Sequence, residues 1–125
     1  MFKTRQDIFP SLLAVVGFVF GLMILLPGCG GSAGLAEGLQ SELASERARA
    51  CIEAGQRRDT TVIPLLVERL EDDDADVRFF AILALKKITQ KDMGYHYYDN
   101  YQKRTRAVRR WRNWLERTSK KRSGG

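Results

Sequence analysis

Residues 8–36 contain no charged side chain, and within them 12–26 read LLAVVGFVFGLMILL. This run removes the first third of the chain from any globular core. Lys3 and Arg5 against Asp7 make a short basic start, Ile8 to Leu26 is apolar, and small residues follow. Those are the three parts of a secretory signal. Removing the 28 residues before Cys29 from a chain of 125 leaves 97. That is one small domain with a thin core. Hydrophobic residues at 44% and charged residues at 29% fit a globular chain and not a disordered one. Cys29 and Cys51 stand in unlike contexts and make no disulfide framework. One His without a cysteine cluster removes most zinc chemistry, and no metal or other cofactor is expected.

Leu26-Pro27-Gly28-Cys29 resembles the bacterial lipobox, with Leu three before the Cys and Gly one before it. The resemblance implies a diacylglyceryl thioether on Cys29, cleavage before it, and a mature protein held on the periplasmic or extracellular side of a membrane. Two acyl chains anchor a protein stably where one does not. The alternative is an uncleaved single-pass helix with a cytoplasmic N-terminus, because about 20 apolar residues suffice to span. The expected organisation is a signal over 1–28, a flexible tether over 29–38, a helical domain over 39–118 and a disordered basic tail over 119–125.

Beyond Leu35 the pattern is helical. Leu39, Leu43, Ala44, Ala48 and Cys51 or Ile52 recur at spacings of three and four. Gly55 ends or weakens that helix, and Asp59-Thr60 offers the next N-cap. Val62, Ile63, Leu65, Leu66 and Leu70 form a second face, with Pro64 near its start. After an acidic turn at 71–76, Val77, Ala81, Ala84, Leu85 and Ile88 form a third, widened by Phe80 and Leu83.

The stretch from Thr61 to Leu70, the Asp-bearing turn, then Val77-Arg78, Ala81, Leu85 and Ile88 resembles a HEAT repeat. Ala44–Asp59, with Arg47, Ala50 and Ala54-Gly55, resembles half of a preceding unit. The resemblance implies an all-α fold: a short stack of antiparallel helical hairpins, about one and a half repeats. It also assigns Arg78 to the turn, with Asp72–Asp74 as acceptors. An array this short leaves an open end. Arg104–Arg117 is the candidate to close it, since Ala107, Val108, Trp111, Trp114 and Leu115 share one helical face.

The five carboxylates of 71–76 lack EF-hand spacing and read as helix caps. His96, with Asp99 nearby in GYHYYDNY (94–101), has no nucleophile beside it, so no catalytic residue is expected. Tyr97 and Tyr98 are candidate partner contacts. Residues 103–122 carry ten Lys/Arg and one Glu, a net +9. Within them Arg106, Arg109, Arg110, Arg112 and Trp114 are candidate contacts for an acidic protein or for anionic lipid head groups. Nucleic acid is an unsuitable partner outside the cytoplasmic membrane. The expected function is therefore a non-catalytic, lipid-anchored interaction or scaffold module with a protein partner. Some HEAT-like proteins are associated with bilin attachment, which makes an accessory enzyme subunit the alternative.

Overall fold

The computed structural model describes residues 31–125. The expected signal segment and Cys29 lie outside the described residues. Five α-helices follow in order: α1 (Ser32–Leu39), α2 (Ala44–Arg57), α3 (Ile63–Arg69), α4 (Ala75–Thr89) and α5 (Tyr101–Ser123). A 3₁₀ turn, Thr60–Val62, leads into α3. Strands are absent among the described residues. The fold is the expected all-α stack, built from the helical hairpins α1–α2 and α3–α4, with α2 packed on α4 and α1 on α3.

Three expectations change. Residues 32–38, expected as tether, form most of α1, because Leu35 and Leu39 lie on one face and are buried against the stack. This helix completes the first hairpin, which the sequence showed only as a half unit. Residues 119–123, expected as disordered tail, continue α5, whose last turn carries Lys120, Lys121 and Arg122 at its negative end. Gly55 does not end α2. The helix runs to Arg57 and closes on Arg58 in the left-handed conformation, φ 51°. Gly55 is there for packing: a Cβ on it would lie 3.1 Å from Ala84 Cα and 3.3 Å from its Cβ.

The hairpins are built on a repeated device. Arg47 and Arg78 each stand four residues after an N-cap, Leu43 and Asp74. Arg47 Nη1 donates to the carbonyls of Ser41 (2.8 Å) and Glu42 (2.9 Å). Arg78 Nη1 donates to those of Asp72 (2.8 Å) and Asp73 (2.9 Å), so its expected acceptors are met through backbone oxygens. Arg104 stands four residues after the N-cap Asn100 and donates to the carbonyl of Asp99, 2.5 Å. Later positions agree as well. Ala50, Ala81 and Ala107 lie seven residues after their caps, Ala54, Leu85 and Trp111 lie eleven after, and all six are buried. The start of α5 is thus the second helix of a third unit, whose first helix is replaced by the loop 90–100.

The core runs through all five helices, from Leu35 and Leu39 through Leu66, Leu70, Val77 and Leu85 to Ala107, Val108 and Trp111. Leu83 does not widen it. Ile82 is buried and Leu83 is 38% exposed, because α4 rotates its core stripe toward Val77, Ala81 and Leu85.

Candidate interaction surface

The loop 90–100 is short but tightly held. Gln90 and Met93 adopt positive φ, as does Gly94 at +67°. Gly94 N donates to Asp92 Oδ1, 2.9 Å. Tyr95 is buried, and its hydroxyl donates to the Leu70 carbonyl at the end of α3, 2.5 Å. Burial pushes the Tyr95 phenol up to about 12, so it stays a donor. Arg78 Nε donates to the Tyr97 carbonyl (3.3 Å) and Arg104 to that of Asp99, so both arginines pin the loop to helix starts.

This frame carries a row of rings. Phe80 meets Phe79 edge-on, Phe79 meets Tyr97, Tyr97 meets Tyr98, and Tyr98 stacks on His96, with centroids 5.0–5.4 Å apart. Tyr97 is half-buried, whereas Tyr98 is 72% exposed and Tyr101 70%. The sequence singled out Tyr97 and Tyr98. It missed Phe79 and Tyr101, because Phe79 joins the row only through tertiary contact with Tyr97.

The basic residues of α5 do not form one patch. Arg106 and Arg109 are exposed on the solvent side. Arg110 is engaged by its own domain, with Nε 2.8 Å from the Met93 carbonyl. Arg112 pairs with Glu71, 2.5 Å. Trp111 is fully buried and closes the stack, its indole Nε1 without a hydrogen-bond partner. Trp114 meets it edge-on at 5.6 Å and is half-buried. Trp114 also lines a groove of about 670 Å³ with Thr60, Thr61, Ile63, Pro64 and Leu115. The acidic turn is used structurally. Asp74 Oδ1 accepts from Asp76 N (2.9 Å) and Val77 N (3.0 Å), and Asp72 pairs with Arg47 and Arg69. Cys51 is buried, which pushes its thiol up to about 12 and leaves it a poor nucleophile.

Among the described residues, no group of three or more His, Cys, Asp or Glu is arranged to hold a metal ion. No described helix is long and apolar enough to cross a membrane.

Paired helices stacked by repeated arginine contacts, with a final helix over the open end, define an α-solenoid repeat protein. The model of the HEAT-repeat family matches residues 32–112, and the chain belongs to that family. The match begins at the first residue of α1 and ends on α5 just past the buried Trp111, so it takes in the third, shortened unit. Searches of curated proteins and of solved structures each returned no match. HEAT repeats generally mediate protein–protein interaction, and the family is generally non-catalytic.

Proposed function

We propose that the chain is a non-catalytic interaction module, anchored through lipid on Cys29 outside the cytoplasmic membrane, that binds a protein partner through the aromatic row on the 90–100 loop. The observation that carries the partner reading is Tyr98, 72% exposed yet stacked on His96 and held edge-on by Tyr97, on a loop fixed by Tyr95, Arg78 and Arg104. Exposed aromatic side chains on a rigid frame lose little entropy on binding and supply most of the energy in small interfaces. Tyr101, 70% exposed on the first turn of α5, extends the same patch. Arg106 and Arg109, free of ion pairs with the described residues, add a basic flank suited to an acidic partner. The anchoring reading rests on Leu26-Pro27-Gly28-Cys29 at the end of the apolar run.

A photo-crosslinking residue at position 98, in the full chain expressed in a Gram-negative host, tests the partner site. A discrete cross-linked protein that disappears with Tyr97→Ala and Tyr101→Ala supports it. The same yield from a crosslinker placed at Glu68, on the exposed side of α3, rejects it. Intact mass of the membrane-extracted chain tests the anchor: a diacylglyceryl mass on an N-terminal Cys29 is expected, and full-length, unlipidated chain rejects it.

A further inference from the structure

Ser32 opens α1, three peptide steps after Cys29. Three steps reach at most about 11 Å. A lipid on Cys29 therefore holds Ser32 within roughly the depth of a head-group layer, about 6 Å, plus a few ångströms. The expected long tether is not there to lift the domain away. Whatever surrounds Ser32 must meet the membrane.

The helix that Ser32 opens packs on the 3₁₀ turn Thr60–Val62, and Thr60 and Thr61 of that turn line the groove beside Trp114. The Asp59 carboxylate, just before that turn, accepts from Thr61 N (2.9 Å) and Thr61 Oγ1 (2.6 Å). Thr60 and Thr61 form one rim of the groove, Ile63 and Pro64 its floor on one side, and Trp114 and Leu115 the other. Arg122 lines the same groove from the last turn of α5, Lys121 precedes it on that turn, and Arg117 stands about one turn earlier. All three are exposed and none is in an ion pair with the described residues. The acids of this edge are Asp59, already engaged by Thr61, and Glu116. An apolar trough with a basic exit, placed where the anchor arrives, matches one ligand chemistry: a phosphodiester head group with an acyl chain behind it.

We infer that this face docks on an anionic phospholipid bilayer, with Arg117, Lys121 and Arg122 over the head groups and the Ile63–Pro64–Trp114–Leu115 trough taking the upper part of a lipid chain. The inference rests on the membrane-anchoring reading above and adds to it an orientation. Docking there leaves the 90–100 loop, beyond the opposite end of α3, directed away from the bilayer toward a partner.

The test uses the full chain in vesicles whose lipids carry bromine on the upper acyl chain. One set is phosphatidylcholine alone, and the other an equal mixture of phosphatidylcholine and phosphatidylglycerol. Trp111 is buried, so Trp114 reports contact, and Trp114→Phe is the blank. Several-fold stronger quenching in the anionic vesicles, absent in the blank, is the expected result. Each basic residue near a charged surface changes association roughly fivefold, so replacing Arg117, Lys121 and Arg122 by Gln lowers the docked population on the order of a hundredfold. Circular dichroism of this variant is expected to match the parent, so that the loss is one of docking and not of folding. Flotation separates the two readings. A chain that floats with both vesicles but shows no quenching, or equal quenching in both, overturns docking and leaves the anchor standing. Flotation and quenching with anionic vesicles alone overturn the anchor and keep the docking face. Flotation with neither overturns both.

Discussion

Arg47 on α2 reaches across 25 residues to clasp Asp72 in the turn between α3 and α4, Nε to Oδ2 at 2.8 Å and Nη2 to Oδ1 at 2.9 Å. The carboxylate is almost fully buried and also accepts from Asp74 N, 3.1 Å. The same guanidinium bonds the turn of its own hairpin, so one side chain ties the first unit to the second. Removing one member of such a pair strands the other charge. Asp72→Ala is expected to lose about 3–5 kcal/mol of stability, read as a fall in melting temperature. A variant that melts like the parent would show that the units are held by apolar packing alone.

Acid should act on the same pair. Burial by itself would raise the Asp72 carboxyl. The bonds from Arg47 and Asp74, with the charges of Arg47 and Arg69, outweigh it and hold the group below the usual carboxylate range. Asp59 is lowered too, first by its bond from the Thr61 hydroxyl. A depressed carboxyl contributes stability that is complete above its unfolded value, about 3.9, and is lost as pH falls through the folded value. Melting temperature should therefore decline below about pH 4. Asp72→Asn should flatten that decline; an unchanged slope would assign it to other groups.

Two glycines in helices should respond in opposite directions. Alanine is favoured over glycine in a helix by about 1 kcal/mol. At Gly34 nothing lies within 4 Å of an added Cβ, so Gly34→Ala should stabilise. At Gly55 the added Cβ meets Ala84 backbone and side chain, and overpacking costs about 1–3 kcal/mol. Gly55→Ala should lower the melting temperature despite its better propensity. A rise would mean that α2 and α4 slide apart without cost.

Trp111 and Leu85 are both fully buried. Trp111→Ala should cost about 3–5 kcal/mol, and Leu85→Asp should abolish the cooperative melt, since an unpaired buried charge costs several kcal/mol. Trp114→Ala should cost less, being half-buried at the groove. In the free protein one indole should emit blue-shifted and resist acrylamide. Two readily quenched rings would place α5 off the stack.

Cys51 should stay unmodified when the native chain is treated with iodoacetamide at neutral pH, and react once the chain is unfolded in urea. Its thiol is buried and pushed up to about 12. Peptide mapping reads position 51 directly, and native labelling there would reveal local opening of α2.

The helical stripes, the acidic capping turn, the Asp59 cap and the arginine at position 78 were legible in sequence, because each depends on nearby residues, while the choice of Asp74 among the carboxylates of that turn was left to the fold. Phe79 was not, since its partner Tyr97 lies across the fold, nor was Arg110 as a latch on the Met93 carbonyl. Gly55 read as a stop because a lone glycine has two uses, ending a helix or admitting a close neighbour, and only Ala84 decides between them. The sequence by itself determined that this chain is a short all-α repeat preceded by a long uncharged stretch, since periodicity and charge are local properties. Tertiary structure alone decided that 32–39 is the first helix and not a tether. Those eight residues are too few to hold a helix in water, and it is the burial of Leu35 and Leu39 against the next hairpin that fixes them.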